Sequence, residues 1–123
     1  MSIHSTMTTT ETRKIGRNRG KPRLWLEGQI LTSAGFTHGQ AWILMPHLEG
    51  ITLQAIASDA EADGRRVRKV SGTAARPIID IAGASLAQLA FTGGEPWDSV
   101  SLTYEPGSGR IEVGFDFKMD AFA

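Results

Sequence analysis

Lysine and arginine are the residues of this sequence best suited to chemistry, and they gather in two stretches. Guanidinium and ammonium groups bind phosphate oxygens through charge and hydrogen bonds. The first stretch interleaves its cations with Gly16 and Gly20, a composition typical of arms that follow a phosphate backbone. The candidate nucleic-acid contacts are Arg13, Lys14, Arg17, Arg19, Lys21 and Arg23 in the first stretch, and Arg65, Arg66, Arg68, Lys69 and Arg76 in the second.

Histidine is the other residue type with a catalytic use. The three histidines are His4, His38 and His47, and no carboxylate is spaced to complete a metal site or a base–nucleophile pair with them. Imidazole titrates near neutral pH, so His38 and His47 are the acid and base that an RNA-cleaving enzyme would use if folding brought them together. The sequence predicts no metal site and no catalytic residue outside that pair.

Composition excludes several other classes of function. The 123 residues contain no Cys, which excludes disulfides, thiolate metal sites and thiol nucleophiles. Residues 16–21 lack the glycine spacing and the Ser or Thr of a P-loop, so no nucleotide site and no cofactor are expected. No apolar run reaches the roughly 20 residues of a membrane helix, and residues 1–12 are polar, unlike a secretion signal. We expect a soluble cytoplasmic protein with no membrane partner.

The charge is balanced overall but unevenly distributed. The chain has 13 Lys and Arg against 13 Asp and Glu, with the basic excess in residues 1–56 and the acidic excess in residues 57–123. Nucleic-acid-binding domains are usually basic overall. A protein-interaction face on the acidic segment 95–120 therefore stays an alternative.

The sequence repeats itself at an offset of 55 residues. Arg13-Lys14 aligns with Arg68-Lys69, and Lys21-Pro22 aligns with Arg76-Pro77, without a gap. The alignment continues through Leu24 and Ile79, Leu26 and Ile81, Gly28 and Gly83, Leu31 and Leu86, Phe36 and Phe91, and Trp42 and Trp97. Farther on, residues 51–53 match residues 111–113, and the extra length of the second copy is assigned to the turn 105–109, where loops tolerate insertion.

Each copy is predicted to be a ββαββ unit. A short basic strand leads to the alternating apolar strands 24–26 and 78–81, and the segments 29–34 and 84–90 predict short helices. Strands 42–45 and 100–104 then return through turns into 51–53 and 111–113. Units of about 45 residues are at the lower limit for an independent core, so both should form one compact domain. The predicted boundaries are a disordered tail 1–12, a first unit 13–54, a linker 55–64, a second unit 65–117 and a tail 118–123.

The segment 22–39 resembles the SymE toxin-like branch of the AbrB-like swapped-hairpin proteins. The matching motif residues are Pro22, Leu24, Leu26, Gly28, Leu31, Ala34-Gly35-Phe36 and Gly39, followed by the strand 42–45 and Gly50. The second copy departs from the motif, since Leu89-Ala90-Phe91 replaces Ala-Gly-Phe. The resemblance implies a mainly β fold with short helices, in which two ββαββ units form a fused pseudo-dimer and a swapped-hairpin barrel. It also implies a toxin–antitoxin role with nucleic-acid binding and RNA cleavage, and it places the family's early basic positions at Arg13 and Lys14.

Nucleic-acid binding is the function that these features favour. Two basic edges related by a pseudo-twofold axis suit a two-fold target such as duplex DNA. Trp25 has Asp80 as its counterpart in the second copy, and we expect it to point outward, where it could stack on a base. An endoribonuclease that uses His38 and His47 and a protein-interaction module are the alternatives. A choice between DNA and RNA, a further homodimer and a protein partner stay open.

Overall fold

The computed structural model describes residues 8–14, 16–18, 21–47, 50–81 and 99–115. These residues form antiparallel strands, one short α-helix and one 3₁₀ turn, which confirms the predicted mainly β class. The elements are β1 (Thr9–Lys14), β2 (Gly16–Asn18), β3 (Lys21–Glu27), α1 (Gln29–Ala34), β4 (Ala41–His47), β5 (Gly50–Ala55), the 3₁₀ turn (Asp59–Ala62), β6 (Arg68–Lys69), β7 (Ser71–Gly72), β8 (Pro77–Ile81), β9 (Ser99–Tyr104) and β10 (Arg110–Phe115).

The strands form two antiparallel sheets. The six-stranded sheet has the order β1-β9-β10-β5-β4-β6, and the four-stranded sheet has the order β2-β3-β8-β7. β1 of the first copy pairs with β9 of the second, whereas β6 of the second copy pairs with β4 of the first. Each sheet therefore combines strands from both copies of the repeat.

The register between β3 and β8 follows the repeat. Leu24 lies opposite Ile81, although its own repeat counterpart is Ile79, two residues away. Trp25 and Asp80 are repeat counterparts, and they lie opposite each other at the centre of the pairing. Exchanging the two copies consequently leaves this register unchanged.

Exchange of the two copies also leaves other registers unchanged. These are the pairings that flank β3 and β8 and the pairing in the middle of the larger sheet. Arg17 lies opposite Pro22 in the first copy, and Gly72 lies opposite Pro77 at the equivalent place in the second. Between β5 and β10, Thr52 lies opposite its own counterpart Glu112. The strand order of each sheet also reads the same when the copies are exchanged.

The main core takes apolar side chains from both sheets and from α1. Alternation along β9 buries Val100, Leu102 and Tyr104 and leaves the residues between them half-exposed, as the two-residue period of a strand requires. The buried set also includes Leu24, Leu26, Leu31, Phe36, Ile51, Leu53, Ile79, Ile81, Ile111 and Val113. Burial of apolar surface, at about 25 cal/mol per Å², is the main force that holds the two copies together.

The helix α1 is capped by a turn from the other copy. Its chain reverses at Gly35, which has the left-handed φ of 100°. The N–H groups of Gly107 and Gly109 donate to the carbonyl oxygens of Ser33 and Ala34, each at 2.6 Å. The last carbonyls of a helix have no partner within the helix, so the turn between β9 and β10 supplies two of the missing hydrogen bonds.

Two predicted boundaries differ from the structure. The sequence predicts a disordered tail through residue 12, but residues 9–12 belong to β1, because β-branched threonines favour strands and β9 offers an edge to pair with. The predicted linker 55–64 begins at the last residue of β5 and contains the 3₁₀ turn. The predicted helix 84–90 and the tail 118–123 lie outside the described residues.

The alignment of Trp42 with Trp97 also needs correction. Trp42 lies opposite Arg68 in the pairing of β4 with β6, and Val100 lies opposite Arg13 in the equivalent pairing of β9 with β1. Val100 therefore holds the place that corresponds to Trp42, and part of the extra length of the second copy precedes β9. Trp97 itself lies outside the described residues.

Candidate nucleic-acid interface

Four of the predicted basic residues, two from each copy, lie at the two edges of the six-stranded sheet. β1 and β6 are its edge strands. Arg13 and Arg68 are half-buried, on the side of the sheet that faces the core, whereas Lys14 and Lys69 alternate to the outer side and are exposed. The repeat therefore places one arginine and one lysine in equivalent positions at opposite edges.

At the first edge, an acidic neighbour partly neutralises the cluster. Nε of Arg13 donates to Oε1 of Glu11 at 3.0 Å, and a second guanidinium nitrogen lies 3.0 Å from the same oxygen. Both side chains are about one-third exposed. An exposed pair of this kind adds little to stability, but it lowers the positive potential that an approaching phosphate meets.

The exposed surface of β3 and β8 carries a cation held by both an aromatic ring and a carboxylate. Arg23 donates from Nε and from a terminal nitrogen to the two carboxylate oxygens of Asp80, at 2.9 and 2.8 Å. Its guanidinium carbon also lies 4.6 Å from the ring centre of Trp25. The hydrogen bonds to Asp80 raise the pKa of Arg23. Trp25 is 40% exposed, in agreement with the expectation that it points outward.

A groove of about 340 Å³ lies beside the second basic edge. The polar and aromatic residues that line it are Trp42, Arg66, Arg68, Lys69, Ser71 and Asp80. Within the described part of the chain, neither Arg66 nor Lys69 forms an ion pair. Arg66 and Lys69 therefore present positive charge that no described carboxylate pairs with directly. Asp80, the carboxylate that lines the groove, is already paired with Arg23.

Arg68 and Trp42 form the inner wall of this groove. The guanidinium carbon of Arg68 lies 5.5 Å from the ring centre of Trp42, a cation–π arrangement. Burial, and then the like charge of Arg66, lower the pKa of Arg68. Trp42 is 2% exposed, and its Nε1–H has no hydrogen-bond partner among the described residues. The wall thus combines a buried aromatic ring with a half-buried cation, and the exposed rim is cationic.

The remaining predicted contacts are spread more widely. Arg17 and Lys21 belong to β2 and β3, and Arg19 lies outside the described residues. Arg65 is exposed just before the second edge. Arg76 pairs only loosely with a carboxylate, since its Nε lies 3.7 Å from Oε2 of Glu27.

The structure does not bring His38 and His47 together. His38 lies in the turn before β4, and His47 is the last residue of β4. At about 3.3 Å per residue, about 20 Å of strand lies between the two ends of β4. The Nε2 atom of His47 lies instead 3.9 Å from Oε1 of Glu112.

That glutamate belongs to a polar cluster on the outer face of the larger sheet, which the sequence did not predict. Thr52 donates from Oγ1 to Glu112, and Arg110 donates from Nε to Glu112 at 2.9 Å. Partial burial alone would raise the pKa of Glu112, but these hydrogen bonds and the nearby charges of Arg110 and His47 outweigh burial and lower it. The usable sequence signal was the alignment of Thr52 with Glu112, which places them together at the centre of β5–β10.

Other kinds of site find no support in the described residues. No group of three His, Asp or Glu among them is arranged to hold a metal ion. None of the described helices has the length and apolar character that a membrane crossing requires. Comparison of the chain with protein-family models, with curated proteins and with solved structures found no match. The resemblance to the SymE toxin-like family therefore stays a prediction.

Proposed function

We propose that this chain is a fused pseudo-dimer of the swapped-hairpin type and that it binds nucleic acid through the basic residues at its sheet edges. The supporting observation is the placement of Arg13-Lys14 and Arg68-Lys69 at opposite edges of one sheet, in equivalent registers. The exchange of β1 and β6 between the copies supports the swapped arrangement. The resemblance to SymE toxin-like proteins adds a toxin–antitoxin role to the proposal.

Local charge, rather than total charge, has to drive this binding, because the chain has 13 basic and 13 acidic residues. Lysine and arginine at an exposed edge release counterions from the phosphate backbone, and this release gives sequence-independent affinity. The Debye length is about 8 Å at physiological salt, so carboxylates on distant surfaces hardly oppose the contact. A neutral protein with a concentrated basic edge is therefore compatible with phosphate binding.

RNA cleavage is not part of the proposal. Of the two histidines that the sequence offers as acid and base, His38 lies in the turn before β4 and His47 at the far end of that strand. General acid–base catalysis requires each group within hydrogen-bond reach of the atoms that react. Binding without chemistry is the function that the geometry supports best.

The test is fluorescence anisotropy of the protein with labelled duplex DNA, single-stranded DNA and RNA over a range of salt concentrations. Replacing the exposed Lys14 and Lys69 together by Ala should weaken binding and reduce the magnitude of the log–log salt slope by about 1.8 on duplex DNA or about 1.4 on single strands. Arg110→Ala is the control, since it removes an exposed cation that pairs with Glu112 outside the basic edges. Absence of salt-dependent binding to all three nucleic acids would refute the proposal and favour a protein partner.

A further inference from the structure

The two basic edges are not equivalent in charge, even though they are equivalent in position. The repeat equates Thr10 and Glu11 of the first copy with Arg65 and Arg66 of the second. Glu11 forms an ion pair with Arg13, whereas Arg66 repels its neighbour Arg68. Concentrated like charge costs free energy in the unbound protein, so the second edge is the one that gains most from a bound anion.

The groove at this second edge has the dimensions and the groups to hold one nucleotide unit of a strand. Its volume of about 340 Å³ lies within the size range of small-ligand sites. Arg66 and Lys69 supply cations at its rim, and the carboxylate of Asp80 is neutralised by two hydrogen bonds from Arg23. A phosphate in the groove therefore meets positive charge without a competing free carboxylate from Asp80.

An exposed aromatic ring lies next to the groove. Asp80 lines the groove, and Trp25 lies directly opposite Asp80 on the neighbouring strand. Directly opposed residues have Cβ atoms about 5 Å apart on the same face of an antiparallel sheet. Arg23 covers part of the Trp25 ring, and 40% of the residue stays exposed. The ring of Trp25 therefore neighbours Asp80 at the wall of the groove, and the cations Arg66 and Lys69 line the same groove.

We propose that the groove beside β6, together with Trp25, binds a single strand of nucleic acid, with phosphates at Arg66 and Lys69 and a base stacked on Trp25. This inference rests on the proposed nucleic-acid binding and makes its target specific. A cationic groove beside an aromatic platform is the arrangement that single-strand binders use. The bases of a duplex are stacked inside the helix and do not reach such a ring. A two-fold duplex would also meet concentrated positive charge at only one of the two edges.

The experiment is fluorescence anisotropy with labelled oligothymidylate and oligouridylate of about 12 nucleotides, a length within reach of one single-strand site, and a duplex of the same length. Both single strands should bind more tightly than the duplex, because the bases of a duplex do not reach Trp25. The preference should hold for DNA and RNA, since phosphate and base contacts do not depend on the sugar. Replacing Arg66 and Lys69 together by Ala should lower the single-strand affinity about tenfold or more and reduce the magnitude of the salt slope by about 1.4.

Variants of Trp25 separate stacking from charge. Trp25→Ala should lower single-strand affinity about tenfold and leave the salt slope unchanged, and Trp25→Phe should retain most of the affinity. Arg110→Ala is the control for loss of one positive charge on another surface. Thermal unfolding of each variant verifies that the fold is intact. Trp25 is exposed, so its replacement should leave the core in place.

The outcomes distinguish the inference from the function on which it rests. Salt-dependent binding that prefers the duplex, or that responds to Arg66 and Lys69 no more than to Arg110, overturns the single-strand groove and leaves nucleic-acid binding standing. Equal affinity of Trp25→Ala and the parent protein removes the stacking platform. Failure of every nucleic acid to bind at low salt overturns both proposals together.

Discussion

Glu112 lies where the two copies pair, and its neighbours come from both of them. It lies opposite Thr52 at the centre of β5–β10, and it accepts hydrogen bonds from Thr52 and Arg110, with His47 nearby. Charged donors give stronger hydrogen bonds than neutral ones. The carboxylate is therefore held in its ionised form, and it ties β5 to β10 across the boundary between the copies.

Acid should weaken the fold partly through this carboxylate. The pKa of Glu112 in the folded protein lies below its ordinary value of 4.5, so ionised Glu112 stabilises the fold above that pH. The contribution is lost as the pH falls through the folded-state pKa. Urea unfolding at several pH values between about 7 and about 3 should give a smaller acid-dependent loss for Glu112→Gln than for the parent. Parallel profiles for the two proteins would contradict this expectation.

Gly50 is a second residue fixed by contact between the copies. A Cβ added there would overlap the carbonyl oxygen of Val113 on β10, a backbone atom that has little room to move. We expect Gly50→Ala to lower the free energy of unfolding by about 3 kcal/mol, the upper end of the usual cost of overpacking.

Gly64→Ala is the matched control. Gly64 has a positive φ of 79° but open space around it, so its substitution tests backbone strain alone, at about 1 kcal/mol. Denaturant midpoints of both variants make the comparison. Equal losses would mean that the approach of β10 to Gly50 is looser than described.

At the scale of elements, the turn between β9 and β10 is longer than its counterpart between β4 and β5. Only residues 48–49 separate β4 from β5, whereas residues 105–109 separate β9 from β10. The longer turn donates the Gly107 and Gly109 amides to the end of α1. The extra residues therefore have a structural use, because they cap a helix that has only six residues of its own.

Shortening this turn should loosen α1 specifically. Replacing residues 106–109 by a two-residue Asn-Gly turn removes both capping hydrogen bonds, a loss of about 2 kcal/mol at about 1 kcal/mol each. Hydrogen exchange of the amides in residues 31–36 should accelerate more than exchange in β5 and β10. Pro106→Ala, which keeps both glycine amides in place, should leave that exchange unchanged. Uniform acceleration in all elements would indicate a global effect instead.

Local patterns predicted most elements but not their partners. The segments 24–26, 42–45, 51–53, 100–104 and 111–113 all lie inside observed strands, because period-two alternation is a local consequence of burying one face. The pattern predicts only the basic end of β1, at Lys14, since the inner positions of this strand are occupied by Thr, Glu and Arg rather than apolar residues. The ion pair of Arg23 with Asp80 depends on the β3–β8 register, and no local pattern contains that information.

At the scale of the whole molecule, the two copies depend on each other for their sheets. β1 has its partner in β9, β4 has a partner in β6, and the core combines buried side chains from both copies. The internal repeat at an offset of 55 predicted two related units. It could not predict that edge strands would be exchanged, because the offset is the same for units packed side by side.

Each copy, separated from the other, should therefore fail to fold as a monomer. Fragments 1–64 and 65–123 are each expected to lack cooperative unfolding as monomers, and their equimolar mixture should recover β structure. Circular dichroism combined with analytical ultracentrifugation makes the measurement. A folded monomer of either fragment would show that one copy is complete by itself and would exclude the exchange of strands as a requirement.

Positions at the centre of the symmetric registers carry a consequence of joining both copies in one chain. In a homodimer of identical units, the residue at such a position faces its own copy, so a glutamate there would face a glutamate and be repelled. In this chain Glu112 faces Thr52 and Asp80 faces Trp25, two pairs of unlike residues. In one covalent chain, the residue at a central position therefore does not have to be compatible with an identical residue opposite it. Each of the two facing residues can change independently of the other.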